Sequence, residues 1–228
     1  MDVIAPKNAY PHQVSLQWFS NGKWKHFCGG SIIGPDKIST AAHCLENYPE
    51  QHEYRVVAGA HNILKSEESQ QIRFFKKVVL HPNYDKETID YDYAVIYTNM
   101  PWKFDKTVSS IELPSKDYEP KGNCVTSGWG ITNNGKLADE LRHVNLTIVP
   151  QESCKSMFLP FGQFITDRMT CAGGMKGKGT CQGDSGGPLV CDNLLVGISS
   201  WIFIECGLAG FPSGFANVTV GLEWIQSV

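Results

Sequence analysis

The chain has 228 residues, of which 19% are charged and 11% are aromatic, and its net charge is −3. This length is enough for one large domain or for two small ones that share an interface. The sequence has no basic cluster that would collect phosphates, so we expect no nucleic-acid partner. The most apolar stretch, residues 194–204, is interrupted by glycine and serine. A membrane-spanning helix needs about 20 apolar residues, and this stretch is much shorter, so we expect no membrane partner.

Runs of β-branched and aromatic residues, separated by turns such as Asn21-Gly22, predict a chain built mainly of strands. In order, the predicted strands are residues 13–18, 31–33, 54–58, 71–80, 93–97, 124–127, 144–149 and 194–201. The 22 glycines and 12 prolines also favour an all-β sandwich or barrel. Charges and prolines over 103–121 predict a linker between two β halves, residues 1–110 and 111–228. Helical character is confined to residues 218–228, where Leu222, Ile225 and Val228 lie on one face.

The eight cysteines are an even and high number for this length, and they form no paired C-x-x-C metal knuckles. They predict disulfide bridges in an oxidising compartment, and therefore a secreted, extracellular protein without metal or other cofactor. The sequons at Asn145 and Asn217 are compatible with secretion. The chain opens without a basic and apolar leader, so we expect any export signal to lie outside this sequence.

The strongest local signal is the segment GDSGGP at residues 183–188. Glycines on both sides of Ser185 free the backbone for a tight turn that exposes the serine hydroxyl. Such a turn can also aim the N–H groups of Gly183 and Ser185 at one point, and two converging donors are what a developing oxyanion requires. The segment therefore predicts a nucleophilic serine beside an oxyanion hole, against the alternative of a glycine-rich surface turn with an incidental serine.

A nucleophilic serine needs an adjacent base, and His43 is the best candidate because small residues precede it and Cys44 can tether its loop. The third group must be a buried carboxylate that fixes the imidazole tautomer. Asp92 directly precedes an apolar run and suits that role. Asp90 is the near competitor, but a strand beginning there would bury two carboxylates around one cation, which is costly. We place the other histidines at the surface, namely His12, His26, His52, His61, His81 and His143.

These motifs and several others stand in an order that resembles the chymotrypsin-like (trypsin-like) serine peptidases, of invertebrate or elastase-like type. The matching segments are PHQVSL at 11–16, CGGS at 28–31, TAAHC at 40–44, DYAV at 92–95, SGWG at 127–130, GDSGGP at 183–188, SW at 200–201 and WI at 224–225. The resemblance covers nearly the whole chain. It implies two six-stranded antiparallel β-barrels, an active site in the cleft between them, and a C-terminal helix. It also implies a serine endopeptidase with His43, Asp92 and Ser185 as its triad.

The resemblance further implies four disulfides, which are Cys28–Cys44, Cys124–Cys191, Cys154–Cys171 and Cys181–Cys206. The hydroxyl of Ser200 should reach Asp92, and the backbone of residues 200–202 should pair with an extended substrate. Monomeric state is the family default, and protein or peptide substrates and protein inhibitors are the implied partners.

In trypsin-like relatives an aspartate lies six residues before the nucleophile, where this chain has Gly179 followed by Thr180. Crab-collagenase-like relatives carry an acid at the position of Ser213, which is again neutral here. An unpaired arginine in such a pocket loses a charge-assisted bond, so cleavage after arginine is disfavoured. After Trp201, Ile202 stands where many relatives have glycine and should narrow the entrance. We expect preference for small or medium apolar residues before the scissile bond; preference for large apolar residues is the alternative.

Two departures from the family pattern bear on activity. The loop that binds calcium in some relatives, residues 59–70 here, lacks the main carboxylates and keeps only Glu67 and Glu68, so we expect no calcium. Active relatives begin with an Ile-Val-Gly-Gly type terminus whose amino group pairs with the residue equivalent to Asp184. This chain begins Met1-Asp2-Val3-Ile4, so we expect a recombinant or incomplete form that is zymogen-like and weakly active.

The other alternative function is that of a catalytically inactive binding protein with the same fold. An α/β-hydrolase is excluded because its triad order differs.

Overall fold

The first half of the chain closes into a barrel in the computed structural model, which describes residues 3–47 and 53–228. After a short strand β1 (Val3–Ile4), the barrel consists of β2 (Gln13–Ser20), β3 (Lys23–Ile32), β4 (Lys37–Thr40), β5 (Tyr54–Ala58), β6 (Gln71–Leu80) and β7 (Ala94–Thr98). All pairings are antiparallel, in the order β2-β3-β4-β7-β6-β5, and β5 returns to β2. Apolar side chains such as Leu16, Val56 and Ile96 fill its interior.

The second half forms another closed antiparallel barrel. Its strands are β8 (Asn123–Gly128), β9 (Arg142–Val149), β10 (Met169–Gly173), β11 (Pro188–Cys191), β12 (Leu194–Trp201) and β13 (Pro212–Asn217). They pair in the order β8-β9-β10-β13-β12-β11, and β11 returns to β8. Val144, Leu189 and Phe215 lie in its core. Strand β1 pairs with the start of β9, so the beginning of the chain is attached to the second barrel.

A shared apolar core and the C-terminal helix join the two barrels. Helix α1 (Gln151–Phe158) precedes β10, and helix α2 (Val218–Ser227) follows β13. Asn217 caps α2, because its side-chain oxygen accepts hydrogen bonds from the first-turn amides. Tyr93 of the first half and Ile198 of the second pack against Ile225 of α2. At the end of α2, the ammonium of Lys37 in β4 donates a hydrogen bond to the carbonyl of Ile225 at 2.7 Å.

The predicted fold class is confirmed, whereas several predicted elements need correction. The strands at 54–58, 71–80 and 194–201 have the predicted bounds, but β4, β10, β11 and β13 were not predicted. Helical structure is not confined to the C-terminus, since α1 forms where its buried face packs on β10 and on the Cys154–Cys171 bridge. Residues 99–122, between β7 and β8, contain no strand. The division at 110/111 stays a prediction.

The four expected disulfides are all present, and no free cysteine remains. Each bridge joins two cysteines of the same half of the chain. The surface placement is wrong for His12 and His61, which are both only 8% exposed. Burial lowers the pKa of His12 to about 4, so this side chain is neutral. His52 lies outside the described residues. In the described part of the chain, neither helix has the length and apolar character needed to cross a bilayer.

Candidate active site

His43 and Asp92 are held together by two hydrogen bonds. His43 lies in a short 3-10 turn directly after β4, and Asp92 lies just before β7, which pairs with β4. The backbone N–H of His43 donates to Asp92 Oδ1 at 2.8 Å, and its Nδ1 is 2.7 Å from Asp92 Oδ2. The hydroxyl of Ser200 in β12 donates to the same Oδ2 at 2.5 Å, as expected. Asp92, rather than Asp90, is therefore the carboxylate that orients His43.

The charge around His43 favours its protonated form. Burial alone lowers the pKa of His43, but the hydrogen bond from its ring to Asp92, the charge of Asp92 and the charge of Glu46 outweigh burial and raise the pKa. Because Asp92 accepts the Nδ1 proton, Nε2 of the neutral ring is left as the acceptor. An imidazole in this state can take a proton from a nucleophile at Nε2.

Ser185 lies in a turn that packs against the loop carrying His43. The carbonyl of Ser185 accepts a hydrogen bond from the amide of Gly29 in β3 at 2.8 Å. Gly186 has a positive φ of 78°, and a β-carbon there would lie 2.1 Å from Thr40 Oγ1, so only glycine permits this approach. Within the described residues the Ser185 hydroxyl makes no hydrogen bond. The hydrogen bond between a nucleophile and its general base is often long or poorly aligned before substrate binds.

The amides of Gly183 and Ser185 are free to act on a ligand. In the same turn, the amides of Asp184, Gly186 and Gly187 bond to backbone carbonyls. Those of Gly183 and Ser185 have no partner among residues 3–47 and 53–228. The oxyanion hole expected at Gly183 and Ser185, beside the serine hydroxyl, stays a prediction.

His26, which sequence reasoning placed at the surface, holds the peptide after Gly183. Its Nε2 donates to the carbonyl of Gly183 at 2.8 Å, and its Nδ1 is 2.8 Å from Ser15 Oγ. Burial lowers the pKa of His26 to about 4, so the ring is neutral and donates through one nitrogen only. Ser15 therefore donates to Nδ1. No local signal marked this contact, because its partner lies in the other half of the chain.

Asp184 is buried beneath the serine turn, where its carboxylate accepts two backbone amides. Oδ1 accepts from Gly130 at 2.8 Å and Oδ2 from Cys181 at 2.9 Å. A β-carbon on Gly130 would lie 2.4 Å from this carboxyl group, which explains the glycine at that position. Burial raises the pKa of Asp184 to about 6. Met1 and Asp2 lie outside the described residues, so the expectation of a zymogen-like terminus stays untested.

A small neutral cavity lies beside Ser185. Its volume is about 100 Å³. Its lining contains no charged side chain and consists of Thr180, Cys181, Gln182, Ser185, Ser199, Ser200, Trp201 and Ile202. Gly179 and Ser213 lie against each other nearby, since a β-carbon on Gly179 would be 2.9 Å from Ser213 Oγ. That hydroxyl also accepts the amide of Thr180 at 3.1 Å.

The loop considered for calcium is closed by the protein's own groups. Glu67 Oε2 accepts the amides of His61 at 2.7 Å and Asn62 at 3.0 Å. The amide group of Gln70 donates to the carbonyl of Lys65 at 2.9 Å. Glu68 is exposed to solvent. In the described residues, no three histidine, cysteine, aspartate or glutamate side chains are grouped so that they could hold a metal ion.

Comparisons with known proteins agree with this geometry. Residues 3–225 match the family model described as Trypsin. The chain is 38% identical to "Trypsin 5G1" of Aedes aegypti, over 98% of this chain and 82% of that protein. It is 36% identical to "Brachyurin" of Leptuca pugilator, over 99% and 96% respectively. It is also 34% identical to "Chymotrypsin-like elastase family member 1" of Felis catus, over 98% and 86%. The chain belongs to the trypsin family of chymotrypsin-like serine peptidases.

Proposed function

We propose that this protein is an active serine endopeptidase in which His43, Asp92 and Ser185 form the catalytic triad. The observation that carries the proposal is the 2.7 Å contact between His43 Nδ1 and Asp92 Oδ2, which leaves Nε2 free to act as the base. The family membership supports the same chemistry.

The mechanism follows from the roles that these groups are able to play. Ser185 Oγ attacks the scissile carbonyl carbon while His43 Nε2 takes its proton, and Asp92 stabilises the resulting imidazolium. The amides of Gly183 and Ser185 donate to the oxyanion of the tetrahedral intermediate. The C–N bond then breaks, and His43 returns the proton to the leaving amine. Water hydrolyses the acyl-enzyme by the same steps, with His43 again acting as base.

The proposed specificity is for small or medium apolar residues before the scissile bond. A cavity of about 100 Å³ without a charged lining residue suits an apolar side chain of limited size. Ile202 is part of that lining, which supports its role in narrowing the entrance. Trp201 and Ile202 follow Ser200 along the edge of the cavity, where the backbone would pair with an extended substrate.

The proposed setting is extracellular, with the protein acting as a secreted monomer on protein or peptide substrates and open to protein inhibitors. Four disulfides are compatible with an oxidising environment. The sequon at Asn145 lies on an exposed position of β9.

Covalent labelling with a fluorophosphonate tests the proposal. The wild-type chain should be labelled at one residue, Ser185, and should hydrolyse peptide amides. Ser185→Ala should lose both the label and the hydrolysis, whereas Ser66→Ala, at an exposed serine, should retain both. A wild-type chain that is neither labelled nor active would instead support the alternative of a catalytically inactive binding protein. Labelling that persists in Ser185→Ala would refute the assignment of the nucleophile.

A further inference from the structure

Asp90, the carboxylate two residues before Asp92, is bound from the other half of the chain. Its Oδ1 accepts hydrogen bonds from the amide of Tyr91 at 2.9 Å, from Thr166 Oγ1 at 2.9 Å and from Arg168 Nε at 3.0 Å. Its Oδ2 accepts from Arg168 Nη2 at 2.5 Å. Burial alone raises the pKa of Asp90, but the bonds from Arg168, Thr166 and Tyr91 outweigh it and lower the pKa. Asp90 is therefore ionised and forms a two-point ion pair with Arg168.

The backbone on both sides of Asp90 has an uncommon conformation. Ile89 and Tyr91 have positive φ values of 56° and 53°. This left-handed region is sparsely populated by residues with large or β-branched side chains, and it persists only where surrounding contacts hold it. The amide of Tyr93 bonds to the carbonyl of Tyr91 at 2.7 Å, which closes a tight turn around Asp92. The direction of the Asp92 side chain therefore depends on what holds residues 89–91.

Arg168 is itself firmly attached to the second barrel. Its carbonyl accepts the amide of Asn217, at the end of β13, at 2.8 Å. The hydroxyl of Tyr93 is 2.7 Å from the carbonyl of Asn217 and 3.2 Å from that of Arg168. The Arg168 guanidinium carbon also lies 4.5 Å from the centre of the Tyr91 ring. Arg168 thus contacts both the carboxylate and the aromatic ring of the strained turn.

We propose that Asp90 and Arg168 are positioning residues, whose ion pair aligns Asp92 with the groups on the second barrel. Asp92 and His43 belong to the first barrel, whereas Ser200 and Ser185 belong to the second. A small shift of the 89–91 turn would separate Asp92 from Ser200 or rotate it away from His43. This inference rests on the proposed peptidase function. The ion pair between Asp90 and Arg168, which joins the two barrels, thereby controls the rate of catalysis.

Replacement of Arg168 by methionine keeps an apolar stem and removes the ion pair. With kcat calculated per mole of active sites, Arg168→Met should lower kcat by about 10- to 100-fold and change KM little. A displacement of a catalytic group such as Asp92 by about 1 Å can have an effect of this size. Asp90→Asn should have a similar but smaller effect. Arg168→Lys keeps the charge without the planar fork and should recover part of the loss. The matched control is Lys155→Met, which breaks an exposed ion pair to the neighbouring Asp167 and should leave kcat unchanged.

Two further measurements separate positioning from simple loss of stability. His43 faces the carboxylates of Asp92 and Glu46 and the neutral hydroxyl of Ser200 beside Asp92. If Asp92 turns away, the acid limb of the kcat/KM profile should move to lower pH in Arg168→Met. In the wild type we expect the proton NMR signal of His43 Nδ1–H to lie downfield because of the 2.7 Å bond to Asp92. In Arg168→Met this signal should shift upfield or broaden. This signal is observable without turnover.

The outcomes distinguish this inference from the proposed function. A wild-type chain that takes no fluorophosphonate label would reject the peptidase. An active wild type, with variants that melt at lower temperature but keep kcat, the acid limb and the NMR signal, would reject only the positioning role. If Arg168→Met does not fold, Arg168→Lys and Asp90→Asn are judged by the same three measurements.

Discussion

Replacement of Ile202 by glycine should convert the cavity beside Ser185 from one for small side chains into one for aromatic side chains. Its volume of about 100 Å³ is below the roughly 150 Å³ of a cavity that holds one benzene molecule, so it suits a side chain of about the size of valine rather than a phenyl ring. Removal of the four side-chain carbons of Ile202, which lines the cavity, would enlarge it. The enlarged cavity would then accept phenylalanine.

The expected effect follows from the apolar groups that the substrate buries. Phenylalanine has four more side-chain carbons than valine, but they are ring carbons, and full burial of either side chain contributes only about 1.5–3 kcal/mol. The difference between the two is therefore at most about 1.5 kcal/mol, which corresponds to about 10-fold in kcat/KM. We therefore expect Ile202→Gly to raise the ratio of kcat/KM for phenylalanine over valine substrates by about 10-fold.

The assay measures kcat/KM on peptide p-nitroanilides that differ only in the residue before the scissile bond, with alanine, valine, leucine, phenylalanine or arginine there. Ile204→Gly is the matched control, because Ile204 is 80% exposed and does not line the cavity. An unchanged phenylalanine-to-valine ratio in Ile202→Gly, or an equal change in Ile204→Gly, would refute the role of Ile202. Fastest wild-type turnover on arginine would refute the neutral pocket.

Four further predictions concern pH, metal, packing and the end of α2. The pKa of His43 is raised above the ordinary imidazole value of about 6.5. As the pH is lowered, kcat/KM should therefore begin to fall above pH 6.5, and an acid limb below pH 6.5 would contradict this. EDTA should leave the melting temperature unchanged, because Glu67 already accepts two backbone amides; a fall reversed by calcium would show a metal site. Gly130→Ala should destabilise the fold and reduce activity, since its β-carbon would meet the Asp184 carboxyl, and a variant with unaltered urea midpoint and kcat would argue against that clash. Lys37→Met should cost about 1–2 kcal/mol in urea unfolding, because it removes the charged donor at the end of α2, whereas the exposed Lys76→Met should cost almost nothing.

The parts of the fold that could be predicted are those whose residues favour one conformation locally. The strands β5, β6 and β12 are rich in β-branched and aromatic residues, so their bounds follow from the sequence alone. By contrast, β13 contains proline and three small residues, and β10 contains alanine and glycine. These segments are extended because residues 169–173 of one pair with residues 212–216 of the other. That pairing joins residues far apart in sequence, so no local pattern predicts it.

In the candidate site, too, the residues marked by a local sequence motif could be predicted, whereas contacts between distant residues could not. Ser185 and its flanking glycines form a local motif, and His43 and Asp92 stand in recognisable surroundings. The contact between His26 and Gly183 spans 157 residues, and the one between Asp90 and Arg168 spans 78. Both depend on how the two barrels meet. The apolar run after Asp92 correctly indicates that Asp92, rather than Asp90, orients His43. Nothing near Asp90 in the sequence indicates that Arg168 binds it.

The placement of the disulfides has a consequence for a chain that is cleaved between its two halves. One bridge lies in the first half and three lie in the second, so no covalent link besides the backbone connects them. A proteolytic nick between β7 and β8 would therefore yield two fragments that separate under denaturing but non-reducing conditions. In native buffer, the common apolar core, the Lys37 contact and the Arg168 ion pair would hold the fragments together, so a nicked chain would keep its fold until it is heated.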